Sequence, residues 1–255
     1  MFFTVNLFSE FILILTSQNK YISMMKLSTK IIYLAVLCLN GLFAQEKQIL
    51  FNLKSEYGVV KDEEGHEYMT IQIGNQTWMA ENLRATKYRN GDDIALSARD
   101  LKDISKEESP KYQWSYGGDE KNIESYGRLY TWFIVDDSRG ICPTGWHIPT
   151  DSEWNVLING VDGDSKAAVK LRETGTQHWM KSKVETTNES GFTALPGGFR
   201  EAKGNFFVKG FNGYWWSTKG YVKMEFNKTT FSLSALVGTQ ENIKKNGLSV
   251  RCLKD

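Results

Sequence analysis

The sequence predicts one α+β domain with two short helices and with antiparallel sheets closed by the C-terminal strand. Helix signals are confined to the middle of the chain, over residues 150–158 and 165–172. Short apolar runs, separated by Gly, Asn and Lys turns, come before and after them. Strands grouped apart from helices in this way are typical of α+β domains.

The composition favours a folded domain with a neutral surface. Of 255 residues, 31 are basic and 30 are acidic. This balance, without a block of Lys and Arg, argues against nucleic acid as a partner. Eight Trp, 11 Tyr and 14 Phe residues can fill a sizeable core.

The first 44 residues have the pattern of an export leader. A short basic segment over residues 25–30 precedes an apolar stretch over residues 31–40, which is too short to span a bilayer. Ala44 is a small residue of the kind found before a cleavage site. Residues 1–44 are therefore predicted to be a leader, and the signal peptide within it is predicted to start at Met24 or Met25.

Two other forms of membrane attachment fit the sequence less well. An uncleaved anchor would begin in the apolar residues 2–15, but Lys20 and Lys26 interrupt it. A lipid-attachment cysteine normally follows a small residue, whereas Cys38 follows Leu37. We expect a secreted or cell-surface protein with no membrane span in its mature chain.

After the leader the chain keeps two cysteines, Cys142 and Cys252. An even count in an oxidising compartment indicates a disulfide, and two buried free thiols are the alternative. A crosslink that closes a loop of about 100 residues stabilises a fold by up to about 5 kcal/mol in the chain-entropy model. Such a bond ties the middle of the domain to its end and has a structural role.

The first half of the chain predicts a linker and then a hairpin. Residues 45–57 are expected to be a linker, and residues 58–255 to form the domain. Residues 68–73 alternate apolar and polar side chains, and residues 76–80 resume the run after Gly74 and Asn75. Gly at the first central position favours a type II′ hairpin turn.

The helix over residues 150–158 has the stronger signal. Thr150 and Glu153 have the spacing of a capping box, and Trp154 begins an apolar stripe. The helix over residues 165–172 would be capped by Asp164 or Ser165. For the apolar residues 127–135, periodicity does not separate helix from strand.

Short strands are expected through the C-terminal half of the chain. Their predicted positions are residues 192–195, 206–208, 214–217, 222–226, 231–237 and 248–253.

Seven motifs, in order and without large gaps over residues 58–255, resemble the Fibrobacter succinogenes major paralogous domain. They are residues 73–83 (IGNQTWMAENL), 126–132 (YGRLYTW), 142–154 (CPTGWHIPTDSEW), 171–175 (LRETG), 191–200 (GFTALPGGFR), 213–217 (GYWWS) and 249–252 (SVRC). The resemblance implies an exported, often surface-attached bacterial protein of Bacteroidetes-like type.

The family is in turn distantly similar to the C-type-lectin-like fold and to formylglycine-generating enzymes. This similarity implies that residues 127–135 form the first helix and residues 150–158 the second. It also implies that Cys142 and Cys252 form the long-range bridge.

No catalytic, metal or cofactor site is predicted. The Glu-Pro-Asn, Gln-Pro-Asp and Trp-Asn-Asp motifs of calcium-binding lectins are absent. The acidic turns at residues 136–137 and 162–164 are expected to be loops or caps, with a calcium site as the alternative. Formylglycine-generating chemistry needs a pair of reactive cysteines, and both mature cysteines are assigned to the bridge. The three histidines lack zinc-site spacing.

Aromatic side chains are the remaining candidates for ligand contact. Neighbouring residues of a strand face opposite sides, so one of Trp215 and Trp216 is expected in the core and the other is a candidate for ligand contact, with a structural role for both as the alternative. Three more candidates for stacking against a ligand lie in polar, loop-like settings: Trp114, Tyr116 and Trp179. A non-enzymatic binding module for polysaccharide is predicted, with protein adhesion or an envelope structural role as the alternative.

Overall fold

Four sheets and four short α-helices make up the described part of the chain. The structure is a computed structural model that describes residues 51–96, 101–235 and 238–255. Leu50–Asp255 forms one compact unit. The predicted leader, with Cys38, lies outside the described residues. Within these three ranges, no helix has both the length and the apolar character needed to cross a membrane.

The helices and strands are short. The strands are β1 (Tyr57–Lys61), β2 (Glu67–Ile73), β3 (Gln76–Met79), β4 (Ala95–Leu96), β5 (Tyr112–Trp114), β6 (Leu129–Tyr130), β7 (Trp146–His147), β8 (Phe199–Arg200), β9 (Phe206–Phe207), β10 (Asn212–Trp216), β11 (Gly220–Glu225), β12 (Phe231–Ala235) and β13 (Leu253–Lys254). The helices are α1 (Asn122–Tyr126), α2 (Trp132–Val135), α3 (Asp151–Gly160) and α4 (Asp164–Leu171), with 3₁₀ turns at Tyr116–Gly118 and Gly238–Lys245.

The largest sheet is antiparallel and has the order β1-β2-β3-β13-β7. The predicted hairpin is confirmed, because Ile73 pairs with Gln76 around a two-residue turn. Gly74 has a φ of 61°, the positive value that a type II′ turn needs at its first central position. The C-terminal strand β13 lies inside this sheet, between β3 and β7.

Three smaller sheets complete the strand pairing. They have the orders β10-β11-β12, β4-β5-β6 and β8-β9. The pairing of β4 with β5 is parallel, and the remaining pairs of named strands are antiparallel. The coarse expectation of an α+β domain with several antiparallel sheets is therefore confirmed.

The predicted capping box of α3 is present. The Thr150 hydroxyl accepts a hydrogen bond from the Glu153 amide at 3.2 Å, and the Glu153 carboxylate accepts one from the Thr150 amide at 2.7 Å. The expected cap of α4 is wrong. Its N-cap is Gly163, at a φ of 79°, and no side chain caps it.

Residues 127–135 do not form the single helix expected from the lectin-like similarity. They contain β6 followed by the four-residue α2. Gly127 ends α1 with a φ of 69°, and a Cβ there would lie 2.7 Å from the Leu83 carbonyl oxygen. Gly127 therefore lets the chain pass close to Leu83 at the end of α1. The chain after it is extended in β6, and the next helix begins only at Trp132.

Two further expectations need correction. The linker predicted over residues 45–57 does not extend to Tyr57, which begins β1 and donates a hydrogen bond to the Gly191 carbonyl at 3.0 Å. Residues 192–195, expected as a strand, contain only an isolated bridge between Ala194 and Arg172.

Two main hydrophobic cores lie on either side of β10. The first core contains Trp78, Trp154 and Trp215, and the helices α3 and α4 pack on it. The second core contains Tyr130, Trp216 and the cysteines. Cys142 and Cys252 form the predicted disulfide, with a Cα–Cα distance of 5.9 Å and a sequence separation of 110.

A fully buried arginine joins several motifs beside the first core. Arg251 donates from Nε and Nη2 to Asn82 Oδ1 at 3.2 and 3.1 Å, and Trp215 Nε1 donates to the same oxygen at 2.8 Å. Arg251 also donates to the carbonyls of Phe192 and Thr193, and its guanidinium lies 4.2 Å from the Phe192 ring centroid. Burial lowers the pKa of Arg251 to about 9, so the side chain is charged at neutral pH.

Candidate functional site

The four tryptophans predicted as stacking candidates are core residues. Trp114, Trp215 and Trp216 are 0% exposed, and Trp179 is 1% exposed. Trp215 and Trp216 do face opposite sides of β10, but a core covers each side, so the expectation of an outward-facing tryptophan is wrong.

Indole N–H groups of three of these tryptophans have partners inside the protein. Trp215 binds Asn82, Trp216 donates to the Tyr130 carbonyl at 2.6 Å, and Trp179 donates to the Ala194 carbonyl at 2.9 Å. Trp114 is covered by the Arg200 guanidinium, 4.1 Å from its ring centroid. None of the four presents a ring face to a ligand in this conformation.

Exposed and half-buried apolar side chains lie instead in and around the loop between β9 and β10, and we call this region the aromatic face. Its members are Tyr116, Met180, Phe206, Phe207 and Phe211. Phe206 and Phe207 point to opposite sides of β9, because Phe206 contacts Tyr116 and Phe207 contacts Phe199. Met180 is 47% exposed, Phe207 41% and Phe211 37%, while Tyr116 and Phe206 are half-buried with ring centroids 5.2 Å apart. Of the predicted candidates, only Tyr116 belongs to this surface.

Backbone hydrogen bonds hold the segments of the aromatic face together. The Met180 amide donates to the Gly210 carbonyl at 2.7 Å, and the Gly210 amide donates to the Pro196 carbonyl at 2.9 Å. The Phe211 amide closes the loop by donating to the Val208 carbonyl at 3.0 Å. The loop between β9 and β10 is therefore fixed to two neighbouring segments.

Gly198 leaves room for this loop. It has a φ of 65°, and a Cβ there would lie 2.3 Å from the Phe207 carbonyl oxygen and 2.9 Å from Tyr116 Cε2. A side chain would push the loop away from Tyr116. The Pro-Gly-Gly sequence of the 191–200 motif thus has a steric role under the aromatic face.

Val208 occupies an unusual backbone conformation at the tip of the loop. Its φ is 56°, which is rare for a β-branched residue, and its side chain is 37% exposed. Strained residues persist only where the surroundings fix them, and they are enriched at ligand-binding sites. Here the strain coincides with the exposed apolar surface.

Polar groups border the aromatic face on one side. Lys209 Nζ donates to Asn122 Oδ1 at 2.8 Å and lies 5.4 Å from the Tyr126 ring centroid. His178 meets the same ring edge-on at 5.5 Å, and its Nδ1 lies 2.8 Å from a buried Glu173 carboxylate oxygen. Burial, with the Glu173 carboxylate nearby, raises the pKa of Tyr126 to about 12.

A polar groove of about 520 Å³ lies elsewhere on the domain, beside the β2–β3 hairpin. Its lining residues include Glu56, Gln72, Lys170 and Glu189. Lys170 Nζ pairs with Asp162 at 2.6 Å and with Glu189 at 2.7 Å. Lys170 is therefore held by two carboxylates, so its charge is not available to an anionic ligand.

The acidic turns named in the sequence are held by cations of the chain. Arg139 and Lys111 bind Asp137 at 2.8 and 2.7 Å, and the hydrogen bonds of Arg139 hold the pKa of Asp137 well below its usual range. Asp162 pairs with Lys170. These contacts agree with the expectation of structural loops.

One cluster of potential metal ligands was not expected from the sequence. Asp62, Glu64 and His66 have ligand atoms within 4.8 Å of one another. Asp62 already accepts hydrogen bonds from the Tyr68 hydroxyl and the His66 amide, and Glu64 accepts them from the Thr86 hydroxyl and amide. The cluster therefore closes the β1–β2 turn and anchors it to the neighbouring segment.

Sequence reasoning missed most of the aromatic face. The signal was present, because the apolar run of residues 206–208 continues through the Lys209-Gly210 turn to Phe211. When an apolar run continues through a turn, its large side chains lie where the chain reverses direction. Residues at such positions are usually exposed to solvent.

We predict that Gly198→Ala destabilises the fold by about 2–4 kcal/mol, because it adds a positive-φ penalty and a steric clash. Chemical denaturation measures the change. Gly197→Ala is the matched control, since a Cβ there would meet only Ser249 Oγ at 3.3 Å and Tyr126 atoms at 3.8 Å. Equal stability of the two variants would contradict the steric role of Gly198.

Comparison with known protein families gives a match that contains the seven sequence motifs. The model of the Fibrobacter succinogenes major domain matches residues 71–254. The seven motifs of the sequence, from residue 73 to residue 252, all fall within this match. Comparisons with curated proteins and with solved structures gave no match. The match covers well over half of the chain, which therefore belongs to the Fibrobacter succinogenes major domain family.

Proposed function

We propose that the protein is a non-enzymatic binding module that acts outside the cytoplasm and binds carbohydrate through the aromatic face. The observation that carries this proposal is the exposure of Phe207 and Phe211 in and beside a loop that backbone hydrogen bonds hold in place. Aromatic rings bury a large area at low cost in side-chain entropy, which suits them to contact with the apolar faces of sugar rings.

The polar border supports a carbohydrate ligand in particular. Asn122, Lys209 and Tyr116 place amide, ammonium and hydroxyl groups next to the half-buried rings of Tyr116 and Phe206. A few placed polar groups beside apolar surface fix the orientation of a small ligand. A sugar, with one apolar face and a rim of hydroxyls, has the complementary chemistry.

Structural pairing of the titratable side chains supports binding rather than catalysis. His178 pairs with Glu173, and His66 pairs with Asp62. His147 bridges Glu153 and Asp255 at 3.0 and 2.6 Å, which connects α3 to the C-terminus. Each of these histidines has a role in holding segments of the fold together.

The disulfide supports action outside the cytoplasm, because such bonds persist mainly in oxidising compartments. We predict that the mature protein begins at Gln45. Mass spectrometry of protein purified from the culture medium or envelope of the native host measures this directly. A mature chain that keeps residues 1–44 would contradict the predicted signal peptide.

A protein ligand is the second candidate. Met180 and Val208 are exposed beside the aromatic residues, and aliphatic side chains contribute more to protein interfaces than to sugar stacking. This candidate includes adhesion to a surface protein and a structural role in the envelope.

We predict that Phe207→Ala and Phe211→Ala each weaken binding to a recognised glycan by at least about tenfold, through loss of stacking. A glycan array with plant, host and bacterial polysaccharides identifies ligands, and calorimetry measures the affinities. The control is Val156→Ala, which removes an exposed apolar side chain from α3.

Silence of the wild-type protein across the array would remove the carbohydrate proposal. Specific capture of one envelope protein, lost in the phenylalanine variants and kept in Val156→Ala, would then establish the protein ligand instead. Glycan binding that survives both phenylalanine changes would move the site away from the aromatic face.

A further inference from the structure

We propose that the aromatic face selects acidic glycans, and that Lys209 binds their carboxylate or sulfate groups. This inference rests on the proposed carbohydrate binding and names the chemical class of the ligand. It is carried by the position of the Lys209 ammonium and by its lack of an acidic partner among the described residues.

The Lys209 ammonium is held at a defined place. Its Nζ donates to Asn122 Oδ1 at 2.8 Å and lies 5.2 Å from the Tyr116 ring centroid and 5.4 Å from that of Tyr126. Asn122 is itself fixed, because its Nδ2 donates to the Tyr116 carbonyl at 2.8 Å. An ammonium fixed in this way loses little entropy when a ligand binds.

The charge of Lys209 is not neutralised by the surrounding protein. Among the side chains that the structure describes, no carboxylate lies within 4.0 Å of its Nζ. Lys111, Lys170 and Lys223, in contrast, each pair with an acidic side chain. The buried Glu173 carboxylate, which lies near Tyr126, is bound by His178 rather than by Lys209. His178 Nδ1 lies 2.8 and 3.0 Å from its two oxygens.

Aromatic rings and an amide satisfy the ammonium only in part. An ammonium has three donors, and the structure assigns one of those of Lys209 to Asn122. Cation–π contact with Tyr116 and Tyr126 attracts the charge without using its donors. A carboxylate or sulfate oxygen can therefore accept a charge-assisted hydrogen bond from Lys209, which is stronger than a bond between neutral groups.

Lys209 is also placed correctly for a ligand on the aromatic face. It follows Phe207 and Val208 in the same loop, and Tyr116 contacts both Phe206 and the Lys209 ammonium. A sugar that stacks on Tyr116 and Phe206 would bring an acidic substituent next to Nζ. Neutral sugars would use the rings alone and would bind more weakly.

Paired polysaccharides test the inference. Polygalacturonate is compared with its carboxyl-reduced form, and dextran sulfate with dextran, by affinity electrophoresis and calorimetry. We expect the acidic member of at least one pair to bind at least about tenfold more tightly, with an affinity that falls as salt is raised. The two pairs distinguish carboxylate from sulfate.

Three lysine variants assign the effect to one residue. Lys209→Met keeps the length of the side chain and removes the charge, so the preference for the acidic member should disappear. Lys209→Arg keeps the charge and should retain it. Lys181→Met is the control, because Lys181 is exposed beside Met180 on a neighbouring segment. Melting temperatures within a few degrees of wild type show that each variant folds.

The outcomes distinguish a failure of the role of Lys209 from a failure of carbohydrate binding. Equal binding of acidic and neutral members, or a preference that Lys209→Met leaves intact, would overturn the role of Lys209 while carbohydrate binding stands. If neither these probes nor the glycan array bind the wild-type protein, carbohydrate binding fails and the inference fails with it.

Discussion

The fold depends on a buried, charged guanidinium that is stabilised by hydrogen-bond acceptors and an aromatic ring. No ion pair with Arg251 is found among the described residues; instead it binds the Asn82 side chain, the carbonyls of Phe192 and Thr193, and the Phe192 ring. Removing a cation from water is costly unless hydrogen bonds replace its hydration. The acceptors around Arg251 must therefore be kept in place, and this requirement fixes the segments that carry them.

These segments come from four of the family motifs. Asn82 lies in the 73–83 motif and Phe192 in the 191–200 motif. Trp215 lies in the 213–217 motif, within β10, and Arg251 lies in the 249–252 motif, directly before Cys252. Asn82 also donates from Nδ2 to the Tyr126 carbonyl at 2.8 Å. The same asparagine thus connects the buried arginine to the tyrosine that contacts Lys209. The position of the aromatic face depends in this way on an interaction inside the domain.

Local signals in the sequence predicted local structure well. The hairpin at Gly74 and the capping box at Thr150 depend on residues within a few positions of each other, and both are present. Burial is a different matter, because it depends on what packs against a strand from elsewhere in the chain. The alternation of Trp215 and Trp216 was correct, but nothing near them in sequence reveals that both sides of β10 are covered. The buried setting of Arg251 has the same non-local origin.

The most direct test of the buried arginine is a double-mutant cycle between Asn82→Ala and Arg251→Met, with unfolding free energies from chemical denaturation. If the two side chains act as one unit, the double variant will be more stable than the sum of the single effects predicts, by at least about 1 kcal/mol. Effects that add to within about 0.5 kcal/mol would show that Asn82 and Arg251 act independently. That result would contradict the dependence of the fold on the buried guanidinium and its acceptors.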